Sequence, residues 1–422
     1  MPHTGRCASA VCELPRSRLG VADWMVDYAC PVTIASDSAG LLPPLRLSSP
    51  ANPDALVIET PVVLAPMAGV TNAAFRQLCR EQGAGLYVCE MVTARGLVVG
   101  DPRTAGMLVF WPDEPVRSVQ TYGADPVSLG SAVDVLCTGF GVQHIDLNFG
   151  CPVPKVTRKG GGGVLPWKLD LVREILATTV SVADRYGVPV TIKTRIGIDD
   201  EHLTFLDMGR LAEDTGVAAI CLHARTVQQA YAGRADWSAI AELVRAVDIP
   251  VLGNGDIWEA ADAVRMIQQT GCVGVEIGRG CLGRPWLFRD LAAALAGREV
   301  TTLPNLGEIA AMIHRHAELL CRVWGEPHAM KDLRKHIAWY LKGFPVGGDL
   351  RHALGLVTSL AELDRLLARL DIDAPFPRGE LGRPRGRQGS PRGKVVMPWG
   401  WLADRSGLGL DLSAAELDSS GG

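Results

Sequence analysis

From Pro61 onward, short apolar runs alternate with stretches whose apolar residues recur every three or four positions. The runs cover 62–65, 86–89, 116–120, 144–147, 190–194, 219–223, 251–253 and 273–277, and most are rich in Val, Ile and Leu. Unbroken apolar character over four or five residues is what a strand buried on both faces requires. Between the runs, 72–82, 126–140, 169–186, 203–215, 237–247, 259–270 and 285–296 carry helical spacing, and 91–99 reads as a further, shorter helix. Eight strand–helix repeats in about 240 residues predict an α/β fold with a parallel sheet and right-handed crossovers, closed as a (β/α)8 TIM barrel. An open doubly wound sheet is the competing arrangement. Its glycine fingerprint is missing after the first strand, where Ala65-Pro-Met-Ala-Gly69 stands.

The pattern changes on either side of the barrel. Beyond a break at 296–304, the stretches 306–324, 330–342 and 350–370 read as amphipathic helices of a small all-α domain. The expected division is an N-terminal extension over 1–55, mostly irregular, a barrel over 56–300, a helical domain over 301–375 and a Pro/Gly/Arg-rich tail over 376–422. Within the extension, 41–47 is expected to pair with 56–58 and close the barrel bottom. The tail sets Arg378, Arg383, Arg385, Arg387, Arg392 and Lys394 among glycines and prolines, a composition expected to be disordered or to lie along the surface.

Composition narrows the classes. At 422 residues, 47% hydrophobic and 21% charged, the chain has ample material for a core. A net charge of −4 means that any nucleic-acid contact must come from local basic patches. The eleven cysteines are scattered and include no CxxC pair, which argues against a disulfide framework and for a reducing compartment. No stretch approaches the roughly twenty apolar residues of a membrane span, so a soluble cytoplasmic protein is expected. His314, His316 and His328 are read as lying on helical polar faces and suggest no metal site.

In such barrels the active site lies at the C-terminal ends of the strands. The residues just past the runs are Pro66-Met67-Ala68, Glu90, Gln120, Asn148 with Cys151, Lys193 with Arg195, His223 with Arg225, Asn254-Gly255-Asp256, and Gly278-Arg279. Every one is polar or exposes backbone. Glycines after the seventh and eighth strands suit a phosphate, because backbone N–H groups can converge on an anion there. The Gln120 amide, the Lys193 ammonium and close-approach backbone at Pro66–Ala68 match the needs of flavin mononucleotide, with a phosphosugar as the competing ligand. Cys151 sits between Gly150 and Pro152 in a polar loop that continues through Arg158 and Lys159 into four glycines at 160–163. That setting favours a working thiol over an inert buried one. Lys331, Arg334, Lys335 and Lys342 share one helical face, which is either solvated or a contact for nucleic-acid phosphates.

Taken together, Pro66-Met-Ala-Gly-Val-Thr71, Val119-Gln120, Asp146-Leu-Asn-Phe-Gly-Cys-Pro152, Arg158-Lys159, Ile192-Lys-Thr-Arg195, Leu222-His-Ala-Arg225, Gly253-Asn-Gly-Asp256 and Gly278-Arg-Gly280 resemble the tRNA-dihydrouridine synthase family. The resemblance runs from about Pro61 to near Leu370, and Asn-x-Gly-Cys-Pro is its most specific motif. It implies an FMN barrel, a helical tRNA-binding domain and NADPH as reductant. By motif, Pro66, Met67, Ala68, Gln120, Lys193, His223, Asn254, Gly255, Asp256, Gly278 and Arg279 would hold FMN, and Cys151 would be the general acid. Asn148, Arg158, Lys159, Arg195 and Arg225 would meet the substrate, with Lys331, Arg334 and Lys335 on the tRNA; a monomer is expected. The four glycines depart from many relatives and suggest a more mobile loop. The competing enzyme class is a small-molecule FMN oxidoreductase of the dihydroorotate-dehydrogenase-like barrel type; a non-catalytic RNA-binding protein on the same scaffold is a third reading.

Overall fold

All eight apolar runs form strands, preceded by one hairpin. The structure, a computed structural model, describes residues 42–390 and 393–410. Cys7, Cys12, Cys30, Leu41, Arg392 and the acidic end of the tail lie outside the described residues. The hairpin pairs β1 (Leu45–Ser49) with β2 (Asn52–Ile58), Leu45 opposite Ile58 and Leu47 opposite Leu56. The barrel strands are β3 (Val62–Leu64), β4 (Leu86–Thr93), β5 (Ser118–Tyr122), β6 (His144–Phe149), β7 (Val190–Arg195), β8 (Ala219–His223), β9 (Val251–Asn254) and β10 (Gly274–Ile277). They close in the order β10-β3-β4-β5-β6-β7-β8-β9, and every pairing is parallel. This is a TIM barrel, as the alternation of runs predicts.

Around it lie α1 (Ala73–Glu81), α2 (Ala94–Val98), α3 (Pro102–Met107), α4 (Pro126–Phe140), α5 (Pro154–Thr157), α6 (Leu169–Asp184), α7 (Phe205–Asp214), α8 (Trp237–Ala246), α9 (Ala260–Thr270) and α10 (Leu287–Leu295). Local chemistry sets their ends. At α4, Asp125 accepts a bond from the Ser128 N–H at 2.7 Å, Pro126 opens the first turn, and Gly141 closes the helix at φ 60°. That is the N-cap, first-turn proline and left-handed C-cap combination. The stretch 91–99, read as one helix, is divided. Met91, Val92 and Thr93 continue β4, and the Thr93 side chain accepts from Gly96 N–H to start α2. Pairing of Val92 and Thr93 with β5 overrides their weak helical spacing.

The hairpin is the pairing expected between 41–47 and 56–58. Its strand β1 alternates buried and exposed residues, and Leu45 and Leu47 pack against Val63, Leu86, Val88 and Leu252 at the bottom of the barrel. Closing an open barrel end removes apolar lumen from water, which gives the hairpin its reason to form.

The helical domain consists of α11 (Leu306–Trp324), α12 (Glu326–Tyr340), α13 (Gly348–Leu354) and α14 (Leu360–Leu367). The single helix read over 350–370 is therefore two, because Gly355 ends the first and Ser359 caps the second through Glu362 N–H. The domain docks on α1: Arg315 pairs with Glu81 at 2.8 Å, and Phe75 packs against the His316 and His336 rings at 5.7 and 5.6 Å. His316 is thus fully buried rather than on a polar face. No group of three potential metal ligands occurs among the described residues. No helix of the described residues is long and apolar enough to cross a membrane. The described part of the tail is tied down over the barrel, with Phe376, Arg385, Val395 and Trp401 buried.

Candidate active site at the barrel mouth

A line of polar side chains climbs the inside of the barrel from β5, β6 and β7. Gln120 stands in register with Asp146, and Asp146 with Thr191, so the three meet across neighbouring strands. Thr191 Oγ1 donates to Asp146 Oδ1 at 2.6 Å, and Gln120 Nε2 donates to Asp146 Oδ2 at 2.7 Å. Above them Asn148 Nδ2 donates to Gln120 Oε1 at 2.8 Å. Its Oδ1 accepts from the backbone N–H of Gly150 at 3.1 Å and of Cys151 at 2.9 Å. The loop that carries Cys151 is therefore hydrogen-bonded, residue by residue, to the barrel interior. Below, Ser118 Oγ and Thr191 Oγ1 flank the His144 ring at 2.7 and 3.0 Å. Burial pushes that imidazole down to about 3, so it is neutral.

Arg195 and Arg225 do not face solvent as substrate contacts would. Arg195 is 3% exposed and donates through Nε to Gly150 O at 2.7 Å and through Nη1 to Thr226 O and Ala230 O. It clamps the carbonyl just before Cys151. Arg225 is 1% exposed and gives Nη2 to Asp256 Oδ1 at 2.6 Å and Gly233 O at 2.8 Å. A guanidinium offers five donors in a fixed fork, which suits tying several loop carbonyls together. The spacing of these arginines after strands was readable; which way they turn was not.

The opposite side of the mouth is built by β7 to β10. Lys193 Nζ lies 3.1 Å from Asn254 Oδ1 and 3.6 Å from Glu276 Oε2. Burial alone would pull this ammonium down, but Cys221, Glu276 and Asp146 outweigh it and leave the lysine raised and charged. His223 is held well below its ordinary value by burial and by Arg195, Lys193, Arg225 and Arg279. Arg225 Nη1 approaches His223 Nε2 at 3.5 Å, and a guanidinium can only donate, so the neutral ring keeps its proton on Nδ1. Gly255 has φ 125° and Asp256 φ 56°, and Trp237 Nε1 fixes the Gly255 carbonyl at 2.9 Å.

Among the described residues no protein acceptor takes the backbone N–H of Gly255, Asp256, Gly278 or Arg279. Four such donors at the ends of adjacent strands β9 and β10 suit an anion. With the Lys193 ammonium and the His223 N–H, the donor set fits a phosphorylated, electron-accepting ring such as a flavin nucleotide. Pro66 and Met67 are half-buried and Ala68 is exposed at the same rim. Thr71 Oγ1 accepts from Met67 N–H at 2.9 Å and steadies that segment. Gln120, expected on the cofactor, is 1% exposed with both ends of its amide engaged below the rim. Arg279 lies between the Tyr231 and Trp258 rings and gives Nη1 to the Arg387 carbonyl at 2.7 Å.

The basic residues divide. Arg158 is exposed and Lys159 half-buried beside the Cys151 loop. Lys331 is exposed, whereas Arg334 is spent on the carbonyls of Leu356 and Val357, and Lys342 on Pro384 O. Lys335 pairs with Asp332 and reaches over the rim, its Nζ 3.9 Å from where a Cβ on Gly69 would stand. The four glycines at 160–163, expected to loosen the loop, are buried. A Cβ on Gly162 would stand 2.6 Å from Cys151 O, and one on Gly163 2.4 Å from Val227 Cγ2. Close packing requires them.

Sequence reasoning missed Asp146 and Glu276, whose signal was a carboxylate inside an otherwise apolar strand. Burial first, then Glu276, pushes the Asp146 carboxyl up to about 7. Its folded-state value lies above the unfolded one of about 3.9. It therefore contributes stability that is complete below about pH 4 and lost as pH rises through about 7. Asp146→Asn removes this titration. The melting midpoint of the variant relative to the parent is expected to rise steadily from pH 4 to pH 7; a constant difference would show that Asp146 does not titrate there.

The chain matches the family model described as dihydrouridine synthase over residues 63–374. It is 52% identical to a probable tRNA-dihydrouridine synthase of Mycobacterium leprae, across 76% of this chain and 90% of that one. Identity to a probable tRNA-dihydrouridine synthase of Mycobacterium tuberculosis is 55%, across 77% of this chain and 86% of the other. Among solved structures, histamine dehydrogenase from Rhizobium sp. 4-9 aligns over 79% of this chain and 65% of its own, at 11% identity and a TM-score of 0.47.

Proposed function

The chain belongs to the dihydrouridine synthase family, and from that premise we propose that it reduces specific uridines of tRNA to 5,6-dihydrouridine. The reading includes FMN as the bound cofactor, NADPH as its reductant and Cys151 as the proton donor. It places the cofactor in a barrel over 56–300 and tRNA contacts in a helical domain over 301–375, in a monomeric, cytoplasmic enzyme. The observation that carries it is the fixed placement of Cys151. Asn148 and Arg195 hold its loop at the same mouth that offers Lys193, His223 and the free N–H groups of β9 and β10.

The chemistry needs little else from the protein. Uracil C5=C6 is conjugated with the C4 carbonyl, so a hydride added at C6 leaves negative charge over C5 and O4. Bound FMN, once reduced, supplies that hydride. The thiol of Cys151 then gives its proton to C5, and the thiolate is reprotonated from solvent. Lys193, Asn254, Gly255, Asp256, Gly278 and Arg279 would hold the cofactor, and His223 would donate its Nδ1–H to it. Asn148 fixes the Cys151 backbone and so sets where the thiol stands relative to the base. Among the described residues Arg195 pairs with no carboxylate; its charge, near the Cys151 loop, favours a thiolate as it forms. A uridine must leave its stack to enter such a mouth. Arg158, Lys159, Lys331 and Lys335 would meet RNA phosphates.

The visible spectrum of the purified protein tests the reading, followed by reduction with NADPH and exposure to unmodified tRNA. Flavin bands that bleach with NADPH and return with tRNA are expected. Flavin bands that return with free pyrimidines and ignore tRNA would replace the substrate with a small molecule, and a colourless protein that takes up no added FMN would overturn the reading.

A further inference from the structure

The tail bonds to the loops that follow β10, β8 and β6 and buries Trp401 against the glycine turn after Cys151. Trp401 is 4% exposed, and its indole Nε1 donates to Val164 O at 2.9 Å. Its ring lies so close to Gly160 that a Cβ there would stand 2.5 Å from Cη2, and Gly160 itself has φ 82°. Val164 follows Gly163, whose N–H bonds the Cys151 carbonyl at 3.0 Å. From the indole to the Cys151 backbone there are only two hydrogen bonds and one peptide.

The anchorage around Trp401 is built from both sides. Helix α6 has no side-chain cap, and the tail supplies its acceptors instead: Leu169 N–H bonds Arg405 O at 2.7 Å and Leu171 N–H bonds Ser406 O at 3.1 Å. Lys168 is 2% exposed, donates to Asp404 O, and sets its ammonium 4.9 Å from the Trp401 ring. Arg405 stacks on Trp167 and pairs with Asp207 at 2.6 Å. A loosely adsorbed tail would not cap a helix, bury a lysine and bury a tryptophan within a few residues. At its other end the Arg387 carbonyl holds Arg279, and buried Arg385 bonds Leu282 O and Trp339 O. The segment lies beyond the part of the chain that the family model matches.

We propose that residues 376–390 and 393–410 form a strap that completes the active site, with Trp401 as a positioning residue that holds the glycine turn and, through it, Cys151. The inference rests on Cys151 being the proton donor. Trp401 touches no reacting atom. Its effect is on where the thiol stands, and a displacement of about 1 Å at such a group costs up to about a hundredfold in rate.

The test uses flavin-loaded full-length Trp401→Ala, Trp401→Phe and Gly160→Ala. Flavin content and its reduction by NADPH do not involve Cys151 and should be unchanged in Trp401→Ala. Reoxidation at saturating tRNA should fall by about tenfold or more, with KM moved by less than about twofold. Iodoacetamide labelling of the peptide that carries Cys151 should speed up as the loop loosens. Trp401→Phe keeps an aromatic ring, smaller than the indole, and loses the N–H, and should fall between. Gly160→Ala, which has no room beside the indole and is strained at φ 82°, should disturb the same turn and speed the labelling of Cys151. Unchanged reoxidation and labelling in Trp401→Ala would overturn the strap. If Trp401→Ala sheds its flavin, the decision passes to Trp401→Phe: parent-like kcat and labelling there overturn it as well. A parent enzyme that ignores tRNA strikes the functional reading instead, and the labelling rates still decide the strap.

Discussion

Replacing Cys151 with alanine should leave reduction of the bound flavin by NADPH intact and slow its reoxidation by unmodified tRNA about 10²- to 10⁴-fold, the usual contribution of a general acid. The substitution is clean because the protein holds Cys151 through its backbone. Asn148 takes its N–H at 2.9 Å and Gly163 takes its carbonyl at 3.0 Å, and neither bond needs the thiol. Alanine keeps the Cβ and these two backbone bonds, and loses the thiol. Cys151→Ser separates acidity from shape. A hydroxyl fills nearly the same space but is a far weaker acid than a thiol of reference pKa about 8.5. Serine should therefore resemble alanine in rate. Rapid-mixing traces of flavin reoxidation decide this, and a Cys151→Ala enzyme that reoxidises at the parent rate would remove the thiol from the reaction.

Glu114→Ala is expected to cost about 3–5 kcal/mol of stability, because it strands a buried charge. Arg76 and Glu114 are each 1% exposed in their side chains and meet at 2.8 Å through Nε, with a second contact at 3.2 Å through Nη2. Arg76 also donates to Thr71 O and Val109 O. The consequence reaches the site, since Thr71 holds the Met67 N–H and with it the rim segment Pro66–Ala68. Glu114→Ala should accordingly lose bound flavin on dilution as well as lower the urea midpoint. The double change Arg76→Met with Glu114→Leu removes both charges and should recover much of the loss, as buried ion pairs replaced by packed apolar residues often do. A double variant as unstable as Glu114→Ala would mean that the carbonyl contacts of Arg76, rather than its charge, carry the cost.

Much of the fold was written in the hydrophobic pattern, for a specific reason. A parallel strand covered on both faces must be apolar along its length, so β6, β7 and β8 stand out of the sequence as runs, and their polar successors mark the barrel mouth without further information. Asn148, Cys151, Lys193, His223 and Asn254 were found in this way, and the structure brings them to one rim. The caps of α4 and α11 were equally local, since Asp125 and Asn305 act within three residues of themselves.

What only the tertiary structure decided depends on partners distant in the chain. The β1–β2 hairpin gains its reason from a barrel end that exists only after eight strands close. His316 carries a polar residue's signature, yet Phe75 from α1 and His336 from α12 surround it. Arg195 and Arg225 follow their strands as substrate-binding arginines would, and turn inward because loop carbonyls at Gly150, Ala230 and Gly233 offer them better company than water does. The glycines at 160–163 read as slack because nothing nearby in sequence explains them. The explanation is Cys151 on one side and Trp401, more than two hundred residues later, on the other. Periodicity records which face of an element is buried. It carries no record of what arrives to bury it, and for this chain that difference separates the barrel, which the pattern dictated, from the strap, which the packing revealed.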